Sequence, residues 1–192
     1  MKLSSSSDYE LIKKVAQKDL NAFEEMVHRY KKMVINVCFR LTEDQENAED
    51  LAQEVFFRIY QKARTFRGRS KLSTWIYRIA VNRSLNHNRK QSSFVQKRST
   101  SSDPETLKEM PAPHHNSPDI VYENKEDRQL INKALDSLPE KQRTAFILHH
   151  WEGLSYQEIA EILKSSLSAV ESRIHRAKNS LRKVLLAEVK NK

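Results

Sequence analysis

The stretch Asp50–Asn82 brings together two kinds of side chain that could do two kinds of chemistry. Its approach is acidic. Glu43, Asp44, Glu46, Glu49, Asp50 and Glu54 occur with no Lys or Arg between Leu41 and Phe57. The sign then reverses. No Asp or Glu occurs from Val55 to Ser102, a span that carries Arg58, Lys62, Arg64, Arg67, Arg69, Lys71, Arg78, Arg83, Arg89 and Lys90. Phe56, Phe57, Tyr60, Phe66, Trp75 and Tyr77 are interleaved with these cations. Carboxylates on a helix complement a basic protein surface, whereas cations alternating with aromatics suit phosphates and unstacked bases. Two different partners are therefore expected, one protein and one nucleic acid.

Catalysis is not expected. The sequence has no Gly-rich phosphate loop, no HExxH, no CxxC and no pair of carboxylates framed by a pocket pattern, so no cofactor or metal is called for. The acids of Glu43–Glu54 are spread around a helix rather than converging on one point. His114 and His115 are adjacent in a proline-rich tract, a poor geometry for two ligands. His149 and His150 are about 100° apart on a helix and cannot chelate one ion together.

These residues must be positioned by helices. Gly68 and Gly153 are the only two glycines among 192 residues, too few for hairpin turns or for a βαβ phosphate loop, so the fold class is all-α. The formal net charge of +9 and the 38% hydrophobic content fit small cores and a nucleic-acid partner. Cys38 is a single thiol within an apolar pattern, expected as a buried hydrophobe. No apolar run is long enough for a membrane span, and the start MKLSSSS lacks a signal-peptide core, so a cytoplasmic protein without membrane insertion is expected.

Apolar spacing divides the chain. Ser7 or Asp8 is expected to cap a first helix, a break falls near Lys18–Asn21, and Thr42 with Gln45 reads as a capping box for the next helix. There Ala48, Leu51, Ala52, Val55, Phe56 and Ile59 form the buried face, leaving Asp50, Gln53, Glu54 and Phe57 off the stripe. Phe57 is either a contact residue among acids or the margin of a broad core face. After the loop Arg64–Lys71, Ser70 or Ser73 would cap a helix buried through Leu72, Trp75, Ile76, Ile79 and Ala80, with Arg78, Asn82 and Arg83 on the other face. The pattern fades after Asn88. Residues 91–125 hold four of the five prolines and read as a flexible linker. The domains are thus 8–90 and 126–188.

In the second domain, Ser137–Glu140, Ser155–Glu158 and Ser168–Glu171 are read as capping boxes, Pro139 lies in a first turn, and Gly153 suits a helix C-terminus. SYQEIAEIL and SAVESRIHRAKNSLRKVL are separated by a short turn and form a helix-turn-helix. Its second helix turns Ser172, Arg173, His175, Arg176 and Asn179 outward. A stand-alone dimeric helix-turn-helix regulator is the alternative on residues alone.

DLAQEVFFRIYQKARTFRGRSKLSTWIYRIAVNR and SLPEKQRTAFILHHWEGLSYQEIAEIL, followed by SAVESRIHRAKNSLRKVL, occur in this order and spacing. Together they resemble the extracytoplasmic-function (ECF) sigma factors, bacterial transcription initiation factors of the sigma-70 family. The resemblance implies that Asp50, Gln53, Glu54 and Phe57 dock on the clamp helices of core RNA polymerase. It implies that Arg67, Ser70, Lys71, Trp75, Arg78, Asn82 and Arg83 meet the melted minus-ten element, with Trp75, Arg78 and Asn82 open as candidates for a flipped base. Ser155, Gln157, Ser168, Ala169, Glu171, Ser172, Arg173, His175, Arg176 and Asn179 would meet the double-stranded minus-thirty-five element. Other surfaces of that domain would meet the polymerase flap, the linker would run toward the RNA path, and an anti-sigma factor would hold the protein silent. Many family members place a glycine in the helix-turn-helix turn. Here Lys164-Ser165-Ser166 stands instead, which requires a different turn type or a left-handed Lys or Ser.

Overall fold

Helix ends along this chain are fixed by a few polar side chains and by residues that adopt left-handed backbone. In the computed structural model, which describes residues 6–99 and 125–190, every regular element is helical. The Ser7 side chain caps α1 (Asp8–Ala16) in a reciprocal box with Glu10, and the Ser7 amide and hydroxyl hold the Glu10 carboxyl below its ordinary value. Lys18 turns at φ 70, and Asp19 caps α2 (Leu20–Thr42). Glu43 ends α2 in the left-handed region, and Asp44 caps α3 (Gln45–Lys62). A 3₁₀ turn, Ala63–Thr65, leads to the loop before α4 (Leu72–Ser99).

The expected Thr42–Gln45 box is not formed. The Thr42 hydroxyl bonds back to the Cys38 carbonyl at 2.9 Å, and Asp44 reaches the Asn47 amide at 2.8 Å. Neither Ser70 nor Ser73 stands at the cap position of α4, where Lys71 supplies the first carbonyl to the Trp75 amide. α4 also continues nine residues past Lys90, into the stretch read as linker. Nothing between Asn88 and Ser99 breaks a helix, and Ser92 and Ser93 donate to the carbonyls of Asn88 and Lys90. The rest of that stretch, 100–124, lies outside the described residues, as do His114 and His115.

Two compact units result, Met1–Asn116 and Ser117–Lys192. In the first, α2, α3 and α4 pack on one another and α1 packs on α2. All six expected α3 core residues are buried. Asp8 ties α1 to α2, accepting from Arg29 at 2.8 Å and from the Tyr30 hydroxyl at 2.6 Å. Burial and this carboxylate raise the Tyr30 phenol well above its ordinary range. Burial likewise pushes the Cys38 thiol up to about 11.

The second unit holds α5 (Lys125–Asp136), α6 (Glu140–His150), α7 (Tyr156–Leu163) and α8 (Leu167–Lys190). Ala134, Leu135, Leu138, Phe146, Ala177 and Leu181 form a core cluster, flanked by Ile131, Trp151 and Val184. Pro139, not Ser137, occupies the cap position of α6. The Ser137 hydroxyl is used up on the Ala134 carbonyl at 2.6 Å. Among the described residues, no helix is long and apolar enough to cross a membrane.

Candidate nucleic-acid and protein interfaces

On α3, the buried stripe turns Asp50, Gln53, Glu54 and Phe57 outward together, at successive spacings of three, one and three residues. Phe57 is 61% exposed, so the broad-core alternative does not hold. An apolar ring left in water beside carboxylates is the composition of a contact surface rather than of a solvated face. Glu54 also pairs with Arg83 of α4, a contact between two residues assigned from sequence to different partners.

The loop before α4 combines a glycine turn and charge. Gly68 adopts φ 68, which L side chains rarely take, and Arg67, Arg69 and Lys71 around it are exposed. Phe66 is half-buried, meeting the Trp75 ring edge-to-face at 5.6 Å. Trp75 itself is only 6% exposed. Its burial is the one expected from the apolar stripe of α4; it offers no open ring face and serves as the floor on which Phe66 rests. Asn82 is exposed, Arg78, Arg83 and Ser70 are half-buried, and Arg78 and Asn82 are one helical turn apart.

In the second unit, Ser155 caps α7 through its box with Glu158, and Gln157 is exposed on the first turn. Lys164 is left-handed at φ 49, which resolves the missing glycine of the turn. α8 starts two residues earlier than a Ser168 cap would set it. The Ser166 hydroxyl, not that of Ser168, accepts from the Ala169 amide at 3.3 Å. Ser168, Glu171, Ser172, His175, Arg176 and Asn179 are exposed, whereas Ala169 and Arg173 are half-buried. Glu171, Ser172, His175 and Arg176 line a shallow depression, and Asn179 Nδ2 lies 2.9 Å from His175 Nε2. Val170, Ile174 and Ala177 anchor the opposite face.

Residues 26–94 match the family model described as Sigma-70 region 2, and residues 128–181 match Sigma-70, region 4. The RNA polymerase sigma-H factor of Pseudomonas aeruginosa is 33% identical over 194 residues, covering 95% of this chain and 96% of that protein. This chain belongs to the ECF sigma factors of the sigma-70 family. The ECF sigma factor SigW of Bacillus subtilis is also 33% identical, over 91% of this chain and 94% of its own. Among solved structures, the sigma factor RpoE of Bartonella quintana, in complex with the anti-sigma factor NepR, is 28% identical with a TM-score of 0.63, covering 85% and 96% of the two chains. CnrH, in complex with the cytosolic domain of CnrY, is 20% identical with a TM-score of 0.66, over 95% and 99%, a likeness of fold.

As a sigma factor, the protein binds core RNA polymerase and promoter DNA and acts in transcription initiation without chemistry of its own. The stand-alone dimeric regulator is thereby set aside. Sequence reasoning passed over Ser166 as the cap of α8 and the Glu54–Arg83 pair, whose separation of 29 positions leaves no local signal, whereas Lys164 takes the left-handed backbone expected of the glycine-free turn.

Proposed function

We propose that the exposed α3 stripe Asp50, Gln53, Glu54 and Phe57 is the surface that docks on the clamp helices of core polymerase. The loop Arg67–Lys71 and the α4 face of Arg78, Asn82 and Arg83 then hold the single-stranded minus-ten element and help to melt it. The observation that carries this reading is Phe57, a large apolar side chain kept in water at the C-terminal end of an acidic stripe. Trp75 contributes by supporting Phe66, which leaves Arg78 and Asn82 to meet a flipped base.

The second unit reads the minus-thirty-five duplex in the major groove through Ser168, Glu171, Ser172, Arg173, His175, Arg176 and Asn179, with Ser155 and Gln157 toward the backbone. Its remaining surface faces the polymerase flap. Residues 8–90 and 126–188 work as the two functional domains, joined by the intervening segment, and the protein acts in the cytoplasm where its polymerase is. An anti-sigma factor controls it, a reading supported by the complex formed by the RpoE relative.

The test separates the two partners. Gln53→Ala/Phe57→Ala should weaken core-polymerase binding at least tenfold while leaving duplex binding by the second unit unchanged. Arg173→Ala/Arg176→Ala should leave core binding unchanged and reduce the slope of log affinity against log salt on upstream duplex by about 1.8, at about 0.9 per phosphate contact. Co-purification of the Gln53/Phe57 variant with core polymerase at wild-type yield overturns the docking assignment.

A further inference from the structure

The C-terminal ends of α1 and α3 are capped by each other's cations. Lys18, two residues past α1, donates Nζ to the Tyr60 carbonyl in the last turn of α3 at 3.0 Å. The same ammonium sits 3.9 Å from the Tyr60 ring centroid, and that ring meets Phe23 of α2 edge-to-face at 5.0 Å. Arg64, two residues past α3, donates Nε to the carbonyl of Ala16, the last residue of α1, at 3.1 Å. Carbonyls at a helix C-terminus lack partners within the helix and carry the negative end of its dipole, so a cationic donor answers both deficits. Here the exchange is reciprocal and lashes two helix ends together. A third contact lies four residues beyond Arg64. Gly68 runs so close to the Tyr9 ring of α1 that a Cβ there would stand 3.4 Å from it. Lys13 covers the same ring at 4.6 Å.

These contacts all fall on the segment Tyr60–Gly68, which delivers the chain into the loop carrying Arg67, Arg69 and Lys71. They come from an element that precedes residues 26–94, the part matched to region 2. Phe66 is held from the other side by Trp75. The loop is therefore clamped at its entry by α1 and on its inner face by α4, while its cations remain at the surface.

We propose that α1 and the turn after it position the loop Phe66–Lys71 for the minus-ten element, with Lys18, Arg64 and Tyr9 as positioning residues that set base selection without touching a base. The inference rests on the assignment of that loop to the melted strand, and one experiment distinguishes failure of either. Full-length wild type and Lys18→Gln/Arg64→Gln are assembled with core polymerase. Run-off transcription is measured on a cognate promoter and on templates carrying single substitutions in the minus-ten element. The double variant should keep the wild-type core affinity and lose about threefold to tenfold of the cognate-to-substituted ratio. Lys18→Arg, which keeps the cation, should retain the ratio. A purely stabilising role would lower the melting temperature and leave the ratio unchanged.

A wild-type ratio in the folded double variant, with Arg67→Ala lowering it, overturns the positioning role alone. A wild-type ratio in both variants overturns the loop assignment and the positioning role with it. Should the double variant not fold, the single variants Lys18→Gln and Tyr9→Leu, each losing contacts at the surface, make the same comparison.

Discussion

On the proposed assignment Glu54 stands on two interfaces at once, and exchanging its charge with Arg83 separates them. Its carboxylate pairs with Arg83 of α4, and it also lies on the acidic α3 stripe. The Glu54 and Arg83 side chains are 50% and 31% exposed, so water screens the pair and its contribution to stability is about 0.2–1 kcal/mol. In a unit of this size about 1 kcal/mol moves the melting temperature by roughly 4–8 °C, so Glu54→Gln should lower it by only a few degrees. The effect on docking is larger. A charge-assisted hydrogen bond to a partner contributes about 1.5–3 kcal/mol, or roughly tenfold to a hundredfold in affinity for core polymerase. The variant Glu54→Arg/Arg83→Glu remakes the ion pair with its sense reversed and places a cation in the stripe. It should recover the melting temperature of the wild type yet bind core polymerase no better than Glu54→Gln. Calorimetry and a fluorescence binding titration with core polymerase, both without DNA, give the two numbers. Recovery of core affinity together with the melting temperature would refute the direct role of Glu54, because it would then act only by holding α4.

Three further outcomes follow from local geometry. Lys164→Gly should stabilise the second unit by up to about 1 kcal/mol, since a left-handed L residue costs about 1–2 kcal/mol and glycine gives part of that back in chain entropy. Urea unfolding followed by Trp151 fluorescence in a Trp75→Phe background measures it, and a loss of stability would show that the Lys164 side chain is needed. Ser155→Ala removes the hydroxyl that accepts from the Glu158 amide and donates to its carboxylate, leaves the bond from the Ser155 amide to that carboxylate, and should cost about 1 kcal/mol in the same titration, with the first unit unaffected. The Cys38 thiol, buried and raised to about 11 from an ordinary value of 9.0, should resist a thiol reagent at pH 8 until the chain unfolds. Because the folded state keeps this proton when the unfolded state would release it, stability should fall as pH rises from about 9 toward 11. Labelling of the native protein at the rate of the unfolded chain would contradict that burial.

Helix faces were legible in the sequence, and helix ends were less so. The six apolar residues of α3 fall on a single stripe, so their burial and the exposure of Asp50, Gln53 and Glu54 follow from period alone. Phe57 could not be decided that way, because a ring at the margin of a stripe is compatible with either side. Caps failed where several short polar residues competed. Ser166 and Ser168 both compete to start α8, and the helix begins at Leu167, which leaves the cap to Ser166 and puts Ser168 in the first turn. The turns near Lys18 and at Lys164–Ser166 were placed from sequence, whereas Glu43 takes the left-handed backbone with no glycine to advertise it. The contacts that lash the first unit together, Lys18 to Tyr60 and Arg64 to Ala16, join residues 42 and 48 positions apart, where no local pattern reaches.

The charge reversal near Val55 has a physical reason in this packing. The acids lie on the N-terminal part of α3, and the cations run from its last turns through the connecting loop onto α4, helices that share one core with α2. A close-packed core transmits displacement rather than absorbing it, so a polymerase seated on the α3 stripe, as proposed, would fix α4 as well. Capture of a base from a melted strand needs that rigidity, because the pocket must be held within a fraction of an ångström of its target. Duplex recognition by α8 makes no such demand on α3. It is built on a separate core of Ala134, Leu138, Phe146 and Ala177, with its own caps and its own turn. On the proposed assignment, placing the melting surface on the docking helix pair and the duplex reader in another unit follows from which of the two contacts must be held rigidly to the polymerase.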